Sequence, residues 1–419
     1  MKKNVDVVLF NPPFYRFFGS HNDKLAPTLG YLANYLSKYD ISNIIFNADF
    51  SGAKKYWSLE TLHENYKFFI DAVNGKSSLY FEVIEQILSF NPKIVVIMAG
   101  EPLIPTTEWG NPFVGSNFSE NLRELGIFTI GIGPFYSLDS KRFSYAFDAI
   151  LAGEPSVKIV DIIKNKKKGV YFSTLKDKNI LPEFKNIFPL KQNTSLVLSG
   201  VGCEGKCSFC LCGKMFSKFT KKTKQFCERT VVLDIKRRKE KVIYIGDLNF
   251  SGYSLNRLEK LYNELKIQNV KKDLVVESRV DTLTKSKAEY FKLLNIKIVK
   301  IGIETLNADK LKDFKKNISV KQIEETLEIL KKYGINYIFY FIIDSKTSIK
   351  DYENIERFII KWRPLYIVPN LLAYDLESDY MYDTEFSPLL KKKYGIDKKL
   401  YKKFLNLQKK NNPTVGKII

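Results

Sequence analysis

All five cysteines of this 419-residue chain fall between Cys203 and Cys227. A disulfide framework would scatter them, so the clustering argues for a metal site in a reducing compartment. Three of them sit in Gly202-Cys203-Glu204-Gly205-Lys206-Cys207-Ser208-Phe209-Cys210, with the spacing Cys-x3-Cys-x2-Cys. Thiolates are the ligands of iron–sulfur clusters, and a full [4Fe–4S] cubane takes four ligands. A three-cysteine loop would therefore wrap one cluster and leave one iron open to a chelating small molecule. Gly202 and Gly205 would let the backbone turn tightly around it. Zinc is the competing reading, with Cys212 as a fourth ligand. Structural zinc sites usually pair two separated Cys-x2-Cys knuckles, however, and no second knuckle occurs here. Cys212 and Cys227 by themselves read as ordinary thiols.

The segments that must hold this loop alternate between strands and helices. Ser195 to Ser199 reads as a strand leading into the loop. Val242 to Ile245 is an apolar strand ending in Gly246-Asp247, Leu274 to Val276 ends in Glu277-Ser278-Arg279, and Ile298 to Ile301 runs into Gly302-Ile303-Glu304. Tyr337 to Ile343 is another strand, stopped at Asp344. Between the last two, Val320 to Tyr333 reads as a helix, with Ser319 and Gln322 as a capping box and Gly334 as its stop. Such repeats close into a full or partial (β/α) barrel, whose active site lies at the carboxyl ends of the strands. Gly246, Asp247, Ser278, Arg279 and Glu304 all fall at those ends. For Arg279 and Glu304 the alternative is an interior salt bridge.

The N-terminal third carries a second pattern of the same kind. Strands are expected at Val5 to Phe10, Ile44 to Phe46, Ile94 to Met98, Phe128 to Gly133 and Ala149 to Ala152. Helical patterns separate most of them, which predicts a parallel, doubly wound, Rossmann-like sheet. Ligands of such sheets lie beyond the strand carboxyl ends. Pro12, Asp49, Gly100, Gly131, Gly133, Gly153 and Glu154 occupy those ends, although any single glycine there can simply make a turn.

Residues 193–345 resemble the radical S-adenosylmethionine superfamily. Pro12-Pro13, the stretch Ala26 to Ala33 with Gly30, Asp49 and Gly153-Glu154 resemble the cobalamin-binding domain fused to many of its members. The resemblance implies a [4Fe–4S] cluster on Cys203, Cys207 and Cys210, with Phe209 near the adenine of S-adenosylmethionine. Gly246 and Asp247 would meet the methionine amino group. Ser278 and Arg279 would reach ribose and carboxylate, and Glu304 would be a cofactor-side carboxylate. It further implies reductive cleavage to a 5′-deoxyadenosyl radical, hydrogen abstraction from an unreactive substrate carbon, and methyl delivery from methylcobalamin, as in the class B methyltransferases. An external reductant such as flavodoxin or ferredoxin would be needed. Relatives also cyclise or rearrange their substrates, a non-catalytic cluster-based regulator stays open, and the N-terminal domain could be a scaffold that has lost cobalamin. One departure stands out. Cobalamin domains that ligate cobalt through histidine carry Asp-x-His-x-x-Gly, whereas this chain has Asp49-Phe50-Ser51-Gly52, and its two histidines, His21 and His63, do not fit that spacing. Bound cobalamin should lack a histidine ligand.

The expected organisation is a cobalamin-type domain over 1–165, a Pro-containing, lysine-rich linker over 166–192, the barrel over 193–375, and a short helical cap over 376–419. A hydrophobic content of 45%, with 14% aromatic residues, excludes wholesale disorder. No run of about 18 apolar residues suggests a membrane span. The first apolar run is not followed by a small-residue cleavage site, so the cytoplasm is the expected compartment. The net charge of +21 arises from lysines spread along the chain (Lys166-Lys167-Lys168, Lys221-Lys222, Lys391-Lys392-Lys393) without aromatic interleaving. That reads as solvated surface, with an acidic partner such as RNA, anionic lipid or acidic peptide as the alternative. The substrate, whether small molecule, lipid or peptide, is not legible.

Overall fold

The computed structural model describes residues 4–13, 24–48, 76, 78–104, 112–190, 192–372 and 397–411. In its N-terminal domain each apolar run is a strand buried along its whole length: β1 Val7–Asn11, β2 Asn43–Asn47, β3 Ile94–Met98, β4 Phe128–Ile132 and β5 Ala149–Gly153. Continuous apolar character is what a parallel sheet covered on both faces requires. Val7, Leu9 and Val96 pack with Leu29, Leu32 and Leu36 of helix Pro27–Ser37 and with Ile159 and Ile162 of helix Lys158–Asn165. On the other face Val8, Phe10 and Ile97 meet Val83, Ile87, Val114 and Phe118 of helices Ser78–Ser89 and Pro112–Glu124.

The segment 166–192 is more than a linker. It supplies β6 Gly169–Ser173 and β7 Ile187–Phe188, which pair with β5 and β2 at opposite edges of the same sheet. The order is β6-β5-β4-β3-β1-β2-β7, all parallel. Between the two edge strands the chain straps across helix Pro27–Ser37. A Cβ on Gly30 would lie 2.5 Å from the Phe184 ring, so Gly30 is there for that close crossing. Without the edge strands the order 5-4-3-1-2 is that of a flavodoxin-like sheet, whose topological switch lies between β1 and β3.

The second sheet runs β15-β14-β13-β12-β11-β8, again all parallel: β8 Leu196–Val197, β11 Val242–Ile245, β12 Asp273–Ser278, β13 Ile296–Glu304, β14 Asn336–Ile343 and β15 Tyr366–Leu371. Sequential order with β8 and β15 at the two ends makes it a partial (β/α) barrel. Helices cover its outer face: Phe339 packs 5.6 Å from Phe358 of helix Ile349–Trp362, and Tyr337 donates to the Trp362 carbonyl at 2.6 Å. β15 contains Pro369, admissible because this strand is an edge. Within the expected cap, helix Lys398–Asn411 lies on that edge, with Gln408 donating to the Ile367 carbonyl at 3.1 Å and Phe404 against Tyr352.

Helix Val320–Lys332 begins with both bonds of the expected capping box. Ser319 Oγ accepts from the Gln322 amide at 3.2 Å, and the Ser319 amide donates to Gln322 Oε1 at 2.8 Å. Replacing Ser319 with alanine should cost about 1 kcal/mol of stability, read as a lower midpoint in urea-induced unfolding with an unchanged slope.

Candidate active site

The cysteine loop leaves the barrel through β9 Gly200–Val201, which pairs antiparallel with β10 Lys224–Gln225. The loop and the helix after it are thus one excursion closed at its root. At Gly202 the backbone has φ of +96°, and a Cβ would lie 2.6 Å from the Phe216 ring, so only glycine fits the turn. Cys203, Cys207 and Cys210 are all half-buried and none is in a disulfide. The Gly205 amide donates to Cys203 Sγ at 3.4 Å, and Arg279 Nη1 donates to Cys207 Sγ at 3.1 Å. Ser208 fixes the middle of the loop by donating its amide to Phe314 O and its hydroxyl to Asp313 O. Phe209 packs edge-on against Phe314 at 5.3 Å. Burial pushes the Cys203 thiol above its usual range. Buried Cys212 donates to Cys210, which raises Cys212 and draws Cys210 down to about 7. Among the described residues no three His, Cys, Asp or Glu side chains converge on the position of a single ion.

Two buried carboxylates hold the two limbs of the excursion. Asp247, just past β11, accepts from the Ser199 amide (2.8 Å), the Gly200 amide (3.2 Å), Ser199 Oγ and Tyr253 Oη (2.6 Å). Three of these four donors lie on the entering limb, and burial raises the Asp247 pKa in spite of them. Its carboxylate is the foundation of the loop and is not directed to an open ligand position. Glu154, just past β5 of the other sheet, accepts from the Leu175 amide (2.7 Å), Thr220 Oγ1 (2.7 Å) and the Lys224 ammonium. It therefore ties the N-terminal domain to the returning limb. Met215 and Phe219 of that limb are buried in the N-terminal core. The cysteines consequently sit where the two sheets meet.

The other expected barrel residues divide. Arg279 belongs to the loop: besides Cys207 it holds Asp281 at 2.7 Å and Lys316 O at 3.1 Å. Glu304, in a left-handed conformation with φ of +68° beyond a bulge, forms a buried ion pair with Lys316 at 2.5 Å. Its partner Lys316 is the same residue whose carbonyl accepts from Arg279. Gly246 faces the N-terminal domain, where a Cβ would lie 2.8 Å from Ile104 Cδ1. Ser278 is in register with Ile301 and, through it, with Phe339, which turns it to the helix side; its buried Oγ has no hydrogen-bond partner.

In the first sheet Asp49 lies outside the described residues, as do His21 and His63. Pro12 and Gly100 are buried at the ends of β1 and β3, flanking the switch point. Gly131 is packed beneath Tyr136, while Gly133 and Gly153 hold positive φ against backbone carbonyls of Ala99 and Ser173, so these three are explained by packing. Sequence reasoning missed two features there. Asn11 donates to Asn47 Oδ1 at 2.8 Å, and Asn47 donates to Gln192 at 3.0 Å, leaving Asn11 Oδ1 buried without a partner at the switch point. Glu101 is fully buried and accepts from the Thr28 amide and hydroxyl and the Leu103 amide. Only the Asn-Pro and Gly-Glu turn residues at the strand ends hinted at either.

Burial raises the Glu101 carboxyl from its ordinary value to about 7, outweighing the Thr28 and Leu103 donors. A raised folded-state pKa means the folded chain holds a proton that the unfolded chain releases. Stability from this group is thus complete below about 4.5 and is lost as pH rises towards 7. Glu101→Gln does not titrate. The unfolding free energy of the wild type minus that of the variant should therefore fall between pH 5 and 8, by at most about 3 kcal/mol. Paired urea titrations across that range check it.

Residues 197–359 match the radical SAM superfamily. Over 182 residues the chain is 23% identical to a hopanoid C-3 methylase of Methylococcus capsulatus, an alignment covering 43% of this chain. The chain spans about a third of that relative, 33% of its length. Among solved structures it is similar to the radical S-adenosylmethionine methyltransferase TsrM of Kitasatospora setae with cobalamin and a [4Fe–4S] cluster bound (TM-score 0.62, 13% identity, 92% of this chain and 74% of that one). It is also similar to the cobalamin-dependent S-adenosylmethionine radical enzyme OxsB with aqua-cobalamin bound (TM-score 0.59, 14% identity, 96% and 56%). At such identities the structural likeness speaks for fold. Both domains, in the same order, follow it. The segment 197–359, which carries the three-cysteine loop and most of the barrel, thus matches the radical SAM superfamily, and the chain as a whole shares the fold of the two solved cobalamin-dependent enzymes.

Proposed function

We propose that the chain is a radical S-adenosylmethionine enzyme of the cobalamin-dependent type that methylates an unactivated carbon of its substrate. The observation that carries this reading is the placement of three disulfide-free cysteines on one loop at the junction of the two sheets. Their donor set fits an iron–sulfur cluster: three thiols, an amide aimed at Cys203 and a guanidinium aimed at Cys207. At the switch point of the first sheet, the unpartnered buried Asn11 Oδ1 fits a polar ligand that would satisfy it. When bound, the cluster with S-adenosylmethionine supplies a carbon-centred oxidant, and cobalamin supplies a methyl group.

The chain's own residues have narrower tasks. Cys203, Cys207 and Cys210 would hold the cluster through their thiolates. Arg279 places positive charge beside Cys207, which favours the more negative, reduced state of whatever the sulfurs carry. Phe209 and Phe314 form an apolar contact beside Cys210 that would help to exclude water from the bound cluster. Asp247 and Glu154 keep the loop from shifting between turnovers. An external one-electron donor, such as flavodoxin or ferredoxin, completes the system. Among the described residues no helix is long and apolar enough to cross a membrane.

Anaerobic reconstitution should give about four irons per chain, and replacing all three cysteines with alanine should abolish them. With dithionite and S-adenosylmethionine the wild type should release 5′-deoxyadenosine. Stoichiometric zinc without iron in the wild type would contradict the reading. Cobalamin should bind without a protein nitrogen on cobalt, since Asp49-Phe50-Ser51-Gly52 lacks the histidine. The Co(II) spectrum should accordingly show no protein nitrogen coupling. A coupling removed by replacing His21 or His63 would refute this.

A further inference from the structure

The resemblance would place Arg279 on the carboxylate of S-adenosylmethionine, but its hydrogen bonds give it a different task. A guanidinium has five N–H donors in a planar fork. Nε and Nη2 hold Asp281 Oδ1 and Oδ2 at 2.9 and 2.7 Å, and Nη2 also donates to the Lys316 carbonyl at 3.1 Å. Nη1 donates to Cys207 Sγ at 3.1 Å. A carboxylate ligand is gripped by two parallel N–H groups on one edge of the fork. Asp281 fills the edge made by Nε and Nη2, and Nη2 has no proton left for the other. Neither edge therefore keeps an open pair, and a single Nη1 proton remains uncommitted among the described residues.

The surroundings hold this arrangement in place. The Arg279 amide donates to Asn249 Oδ1 at 3.1 Å, and its carbonyl accepts from the Ser251 and Thr282 hydroxyls, each at 3.3 Å. Its side chain is only 11% exposed. Gly205 supplies the room: a Cβ there would lie 2.6 Å from Nη1 and 3.3 Å from Cys203 Sγ. Gly205 is not among the glycines with positive φ, so this close approach is what requires it. Nη1 thus stands beside the sulfurs, and the Asp281 carboxylate lies on another edge of the fork. The ion pair turns its positive end to the cysteine loop.

We infer that Asp281 is a positioning residue: by filling one edge of Arg279 it withholds the guanidinium from S-adenosylmethionine and commits it to the cysteine sulfurs, where it eases reduction of the bound cluster. The inference rests on the function proposed above. The step concerned moves one electron from the external donor to the [4Fe–4S] core, and no bond forms or breaks. The core goes from two positive charges to one, so with three thiolates the whole goes from one negative charge to two. A guanidinium beside it favours the second state and keeps its own proton throughout, and hydrogen bonds to the sulfurs act in the same sense. Removing the Asp281 charge would by itself also favour reduction, whereas losing the aim of the fork opposes it. The aim wins, because a direct charge-assisted bond to sulfur outweighs a more distant, part-exposed carboxylate.

The test uses the full-length protein, reconstituted anaerobically with iron and sulfide. Its midpoint potential is read from the EPR signal of the reduced cluster in a dithionite titration without S-adenosylmethionine. Gly205→Ala pushes Nη1 aside and leaves both charges in the chain. Gly205→Ala, Asp281→Asn and Arg279→Met should each lower the ratio of reduced to oxidised cluster at a fixed potential. For Arg279→Met the fall should be about tenfold or more, a downward shift of ~59 mV for one electron. Adding Asp281→Asn to Arg279→Met should lower the ratio no further, since Asp281 acts through Arg279. The oxidised Arg279→Met protein should bind S-adenosylmethionine as the wild type does in isothermal titration. A ratio that rises or stays the same in Asp281→Asn and Gly205→Ala would overturn the assignment. So would a tenfold loss of S-adenosylmethionine affinity in Arg279→Met, whatever its potential. A variant that takes up no iron leaves the decision to the other two. If the wild type takes up no iron, the radical reading falls and this inference with it; if it does, only the inference is at stake.

Discussion

Burying a carboxylate is costly unless its oxygens are met by donors, and this chain buries two at the base of one loop. Asp247 takes three of its four donors from the limb entering the cysteine loop, and Glu154 takes two of its three from the returning limb. A short loop of glycines, serine and thiols has little packing of its own to fix it. Hydrogen bonds to a charged acceptor contribute about 1.5–3 kcal/mol each, and losing the acceptor would leave buried amides unpaired. The geometry of the three sulfurs therefore depends on two acids that do not touch them.

Each acid comes from a different sheet, and each stands just past the carboxyl end of its strand. That placement makes the loop a joint between domains. The returning limb is sealed in the N-terminal core by Met215 and Phe219, and Gly246 brings β11 against Ile104. One apolar cluster runs from Leu9 and Met98 through Leu103 and Ile104 to Leu196 and Ile245. A group bound at the β1/β3 switch point and one bound by the cysteines would thus be held across a continuous packed boundary, which suits chemistry that passes a group from one to the other.

Strands were legible wherever both faces are buried, because the whole run must then be apolar: Ile94 to Met98 and Val242 to Ile245 are strands with those very bounds. β6 and β7 were hidden by the lysines and prolines that flank two short edge strands, and Pro369 masked β15. The cysteine loop was legible because its chemistry lies in eight consecutive residues. The tasks of Asp247 and Glu154 were not. Their positions at strand ends could be read, but their partners lie 48 and 70 residues away in sequence, and only the tertiary fold brings Ser199 or Lys224 to them.

Three cysteines against four irons is the central claim, and it concerns one atom: the iron that the protein leaves without a side chain. Mössbauer spectroscopy of the protein reconstituted with ⁵⁷Fe, with and without S-adenosylmethionine, observes that atom directly. About one quarter of the iron signal should move to a larger isomer shift when S-adenosylmethionine is added, while the remaining three quarters stay unchanged. A spectrum unaltered by S-adenosylmethionine, with all four irons equivalent, would mean that the cluster is closed and that the loop does not serve radical chemistry.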